Sequence, residues 1–234
     1  MIPVMLLLAV QAFDVASIHT VRTTVEEGGR DKIEHTVNTL TMRNVTLSTC
    51  VQWAYNVKQY QVTGPAWITL ERYDIIAKAE AAPEAQLRLM LQTLLADRFA
   101  LAFHRDKKEM PVFVLLLGKG GHKLHATTEE GEGLLNTSKG AAVTAKHVSM
   151  SQYAGLLSGP LRMPVLDMTG LEGRYDFTVD LAPYMARDND GRAPDMVEAI
   201  QSAFQDQLGL KLEPRKSQIE IIVVDRAEKA PTAN

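Results

Sequence analysis

The sequence predicts an α+β protein of two tandem related units, each running helix, strand, strand, helix, strand, strand. Three observations predict it. Patches of the first half recur in the second, in the same order and at a separation of 102 to 109 residues. Within each half, apolar residues switch between spacings of three and four, which mark helices, and strict alternation, which marks half-buried strands. Between the halves lies a stretch rich in Gly, Lys and Glu that reads as an exposed connector. The expected organisation is a signal-peptide remnant over 1–12, a first lobe over 13–118, a flexible connector over 119–146 and a second lobe over 147–234.

Taken in order, Ile2 to Val10 is uncharged and mostly apolar, the length of a signal-peptide core and too short to span a bilayer. Val10-Gln11-Ala12 offers small residues for cleavage before Phe13. The basic residues that usually precede such a core are missing, which leaves a truncated start or a buried strand as alternatives. Thr46 and Ser149 stand before apolar-periodic stretches, where a hydroxyl can accept from free helix N–H groups. Gly64-Pro65 and Thr169-Gly170 supply turns. Arg72-Tyr73-Asp74-Ile75 recurs as Arg174-Tyr175-Asp176-Phe177, each opening an alternating strand. Pro83 suits the first turn of a helix whose stripe is Leu87, Leu91, Leu94 and Leu95. A short strand, a charged turn and an apolar strand then close each unit: Leu101–His104, Arg105–Glu109 and Pro111–Leu117, then Leu210–Glu213, Pro214–Gln218 and Ile219–Val224. The polar patch Arg187–Arg192 reads as a surface loop.

The 234 residues carry 25 Lys+Arg against 28 Asp+Glu, a net charge of −3, with 46% hydrophobic and 23% charged residues. That balance excludes a disordered, collagen-like or coiled-coil chain and gives no electrostatic case for binding nucleic acid or an anionic membrane. A single cysteine, Cys50, cannot form an intramolecular disulfide.

Several of these segments are distinctive together: Phe13-Asp-Val-Ala-Ser-Ile18, Asn44-Val-Thr-Leu47, Tyr73-Asp-Ile-Ile-Ala-Lys78, Leu95-Ala-Asp-Arg-Phe99, Asp167-Met-Thr-Gly-Leu-Glu-Gly-Arg-Tyr-Asp-Phe177 and Leu208-Gly-Leu-Lys-Leu212. From Phe13 to about Lys229 the chain resembles the Solibacter-type, soil-associated family of exported bacterial proteins, a domain of unknown function expanded in acidobacteria. The resemblance implies export and kinship with modules fused behind a membrane peptidase of the antibiotic-sensor type; it carries over no catalytic residue. Cys50 stands where that family usually has an aliphatic residue. In element order the repeated unit is also similar to the short N-terminal domain of secretins and TonB-dependent receptors, a small α+β interaction module.

No assembled catalytic set is legible. His122-x-x-His125 with Glu129 and Glu130 falls in the Gly-rich connector and reads as a solvated loop, so no metal and no cofactor is expected. None of the serines lies in Gly-x-Ser-x-Gly or Ser-x-x-Lys, and Gly118-Lys-Gly-Gly121 reads as a turn. Cys50, near Val51 and Ala54 on one helix, reads as a packed thiol. The candidate ligand-binding residues are Trp53, Tyr55, Tyr60 and Trp67, which either line a groove or pack the core. Asp74 and Asp176 join them: they either flank a cleft, as paired acids do, or sit outward at strand mouths. The expected function is an exported, non-enzymatic binding or sensory module, secreted or periplasmic. Its partner would be an unknown protein, peptide or small molecule, without nucleic acid and without stable membrane insertion after signal cleavage. The alternative is an extracytoplasmic hydrolase with a site between the lobes.

Overall fold

A computed structural model describes residues 12–21, 31–128, 133–137, 142–186 and 195–232. The signal-peptide stretch up to Gln11, the patch Arg187–Arg192, and Glu129 and Glu130 lie outside the described residues. In chain order the elements are β1 (Val15–Val21), β2 (Lys32–His35), β3 (Thr39–Thr46), α1 (Leu47–Tyr55), β4 (Val62–Thr63), β5 (Arg72–Lys78), α2 (Glu84–Phe99) and β6 (Ala102–Leu117). There follow β7 (His125–Thr127), β8 (Leu134–Thr137), β9 (Ala142–Val148), α3 (Met150–Leu161), β10 (Val165–Asp167), β11 (Arg174–Asp180), α4 (Met196–Ala203) and β12 (Leu210–Arg226). The protein is mixed α+β. Among the described residues no helix is long and apolar enough to cross a membrane.

The chain divides into two compact units, one of residues 1–108 with 219–234, the other of residues 109–218. Unit 1 holds the antiparallel sheet β1-β5-β3-β2. Its helices form where the hydroxyl and proline signals predict: Thr46 accepts from the Thr49 N–H, and α2 begins directly after Pro83. Tyr73, Ile75 and Ala77 of β5 point inward and meet Leu91, Leu94 and Leu95 in a buried core, while Leu87 packs with Ala79, Ala82 and Met90. That core is completed from the far end of the chain, by Ile222 and Val224 of β12. Ile222 pairs in parallel with Val62 of β4.

Unit 2 holds the antiparallel sheet β7-β11-β9-β8. Ser149 opens α3 with a capping box: its hydroxyl accepts from the Gln152 N–H while the Gln152 side chain accepts from the Ser149 N–H. Tyr175, Phe177 and Val179 of β11 face a core that also takes Phe113 and Leu115 from β6. Leu166 of β10 pairs in parallel with Val114 of β6.

Two expectations change. The stretch 119–146 is not a bare connector: β7, β8 and the larger part of β9 lie in it, hydrogen-bonded into the sheet of unit 2. Its glycines punctuate strands that are themselves short, and short strands leave a weak periodic signal. The expected pair of strands around Arg105–Glu109 is one continuous strand of 16 residues, as Leu210–Arg226 is one of 17. Consecutive exposed charges read as a turn, yet in a solvated stretch of ribbon both faces can carry them. The Arg105 guanidinium pairs with Glu220 and His104 with Asp225, both within unit 1, while Lys216 meets Glu109 at 3.7 Å in unit 2. Residue 108 is the last of β6 in unit 1, and residue 219 the first of β12 there. The three strands ahead of α1 were not legible as part of the first lobe's pattern.

Candidate functional site

In unit 2 a cavity of about 420 Å³ lies between α3, α4 and the sheet. Helix α3 presents Tyr153, Leu156, Leu157 and Pro160 to it. Ile200 and Met196 of α4 and Phe204, in the π turn that follows, form a second wall. Leu135, Val143 and Val179 of the sheet, with Leu181, form the floor. Volume and lining are those of a small-molecule site, which is typically concave and mostly apolar with few polar groups. Among the described lining residues Tyr153 alone carries a side-chain hydroxyl. Its ring packs edge-on against Phe177 at 4.8 Å, and burial pushes its phenol pKa well above the usual tyrosine value, so it stays protonated. Leu156 and Met196 remain about half exposed, at 51% and 46%, and mark the mouth.

The cavity gains meaning when set beside unit 1, position by position. Val45 faces Tyr73 as Val148 faces Tyr175, and Leu40 faces Ala77 as Val143 faces Val179. Residues Ala100 and Gly209, both at positive φ, end the second helix in each unit. Carried along this register and these caps, Val143, Tyr153, Val179, Ile200 and Phe204 fall at the places of Leu40, Cys50, Ala77, Leu91 and Leu95, and Tyr153, Val179, Ile200 and Phe204 are themselves only 1–3% exposed. The two sets part at Met196, 46% exposed, which falls at the place of the fully buried Leu87.

The local sequence explains how. Helix α2 starts at Glu84, three residues before Leu87, whereas α4 starts at Met196 and runs on through the π turn Phe204–Leu208. The link before α2 is held down by N–H bonds from Ala79 to the Asn38 carbonyl and from Ala82 to the Val37 carbonyl, at 2.9 and 2.6 Å. Trp53 occupies the position matched by Leu156, with the Arg88 guanidinium 4.6 Å above its ring and hydrogen-bonded to its carbonyl.

The structure distributes the candidate aromatics instead of gathering them. Trp53 packs beside Ala79, Ala82, Leu87 and Met90. Tyr55 stands edge-on to Phe103 at 4.8 Å, burial raising its pKa, and Tyr60 is half-buried in a short helical turn, Gln59–Gln61. Trp67 has the Lys229 ammonium 5.9 Å from its ring. Asp74 and Asp176 each brace a β-bulge. Asp74 accepts from the Asn44 N–H and Asp176 from the His147 N–H, both at 2.7 Å. Asn44 and His147 sit at φ +53° and +59°, and the register of each strand pair shifts there. Arg72 and Arg174 bind the carbonyls of those same two residues. Carboxylate and guanidinium thus clamp the N–H and the carbonyl of one residue, an arrangement that holds it in the left-handed region.

His122 turns its Nδ1 to the Leu124 N–H, and its ring packs on Tyr175. Among the described residues no group of three or more His, Cys, Asp or Glu is placed to hold a metal. The cavity residues escaped the sequence reading because apolar side chains at core spacing look the same whether they close a core or line a cavity.

An α+β chain of this kind, with a hollow second unit, falls in a defined sequence family. It belongs to DUF3738, a family of proteins of unknown function, whose pattern matches residues 48–227. No curated protein and no solved structure matches the chain.

Proposed function

We propose that the chain is an exported, non-enzymatic binding module, sensory or interacting, with the cavity of unit 2 as its ligand site. The observation that carries this reading is the cavity itself, apolar, about 420 Å³ and open beside Leu156 and Met196, where the corresponding places of unit 1 hold half-buried Trp53 and fully buried Leu87. Left empty, such a cavity forfeits the dispersion contacts its lining would otherwise make, a cost a ligand removes. Among the described residues no acid, base or strong nucleophile lines it, which supports binding over covalent chemistry. The apolar run Ile2–Val10 and the resemblance to soil-associated exported proteins support a secreted or periplasmic location, with a small molecule as the partner and neither nucleic acid nor stable membrane insertion in its role.

The two units are, on this reading, tandem copies of one unit. The sheet orders β1-β5-β3-β2 and β7-β11-β9-β8, the paired bulges and the matched caps support it. The copies have exchanged their closing strands: Phe113 and Leu115 follow the first copy but serve the core of unit 2, and Ile222 and Val224 follow the second but serve unit 1.

Titration of the full chain with the neutral dye N-phenylnaphthylamine tests the site. Native protein is expected to take up the dye with a rise and blue shift of its emission. The double variant Leu156→Trp, Val197→Arg, which transplants the Trp53–Arg88 pair, is expected to weaken uptake at least about tenfold, as is Val143→Phe, which fills the floor. Urea unfolding of both variants checks that they fold. Absence of uptake by the native chain, or equal uptake by both folded variants, overturns the reading.

A further inference from the structure

We infer that the ligand of the unit 2 cavity is an uncharged hydrophobe of about fifteen carbon atoms, an aliphatic chain or fused ring system without an ionised group. The inference rests on the proposed binding role of that cavity and adds its chemistry. Size follows from volume: a cavity of about 150 Å³ accepts one benzene ring, and this one measures about 420 Å³. Charge follows from the lining. Among the described residues none that lines the cavity bears a formal charge, and Tyr153 stays protonated. An ion taken in here would lose its hydration and gain no counter-ion, a penalty that ordinarily neutralises the group or expels it.

A fatty acid would have to bring its carboxylate to such a lining, so fatty acids are poor ligands, while their esters, or alcohols and hydrocarbons of the same length, are good ones.

Displacement of the bound dye from the full chain separates these ligands. Methyl dodecanoate is expected to displace N-phenylnaphthylamine at a concentration at least tenfold below that needed for dodecanoate, and methyl butanoate to need a concentration at least a hundredfold above that of methyl dodecanoate, by the loss of buried CH₂ groups. Dodecanoate displacing as well as its ester overturns the inference on charge, and methyl butanoate matching methyl dodecanoate overturns the inference on size. Neither result touches the binding role, which fails only if native protein takes up no dye or if the filled variants take it up equally.

Discussion

Cys50 is fully buried on α1 beside Val51 and Ala54, and burial, with the charge of Asp31 adding to it, pushes its thiol from 9.0 to about 12. The folded protein therefore keeps that proton to a higher pH than the unfolded chain does. The resulting stabilisation is complete below pH 9.0 and is lost as pH rises towards about 12, because between those values the unfolded state binds fewer protons. Cys50→Ala is expected to cost about 1 kcal/mol at neutral pH, by leaving a small cavity. Its unfolding free energy should also fall less steeply than that of the native protein above pH 9.0. Urea titrations at neutral and alkaline pH measure both effects; parallel curves would refute the second. Asp74 and Asp176 make the complementary point about reading single residues. Their recurrence beside Arg and Tyr was legible, but their partners were not, since a backbone N–H in a bulge leaves no mark in the side-chain pattern.

At the scale of elements, the ending of α4 is the most constrained feature of unit 2. The helix passes into a π turn, Phe204–Leu208, and stops at Gly209, whose φ of +68° suits glycine. Its carbonyl accepts from the Gly118 N–H at 2.9 Å, and a Cβ on it would lie 2.1 Å from the Gly121 carbonyl oxygen. Two rigid stretches of backbone meet there with no flexible side chain to yield. Gly209→Ala is expected to destabilise by about 2–4 kcal/mol. Gly120→Ala, where nothing lies within 4 Å of the added carbon, should change stability by less than about 0.5 kcal/mol. Chemical denaturation of the pair decides, and equal stabilities would show that the turn can relax. The sequence reading found α1, α2, α3, β5 and β11 because caps and periodicity coincide in them. It split β6 and β12 because polarity in a paired, solvated ribbon resembles polarity in a turn.

For the whole molecule the consequence is that unit 1 depends on the end of the chain. Ile222 and Val224 are 1% and 3% exposed within its core, and no earlier strand supplies their place. Both tryptophans of the protein, Trp53 and Trp67, lie in unit 1, so their emission reports on that unit alone. Truncation after Gln218 is expected to shift tryptophan emission towards that of the unfolded chain. Ile222→Ala should lower the stability read by tryptophan by about 2–4 kcal/mol. Native-like emission and an unchanged urea midpoint after truncation would show that unit 1 closes without β12.

By itself the sequence determined the α+β class, the helix caps, the inward faces of β5 and β11, and the burial of Cys50. Each depends on neighbours within a few residues or on an alternation that any core must respect. The tertiary structure alone decided which core each closing strand enters, since an apolar strand satisfies either core equally until the chain path is known. It also decided that the apolar residues of α3, α4 and the sheet of unit 2 enclose a cavity. Hydrophobic patterning specifies which side chains leave water, whereas the volume they enclose depends on helix length and on the bulk of facing residues brought together from distant parts of the chain.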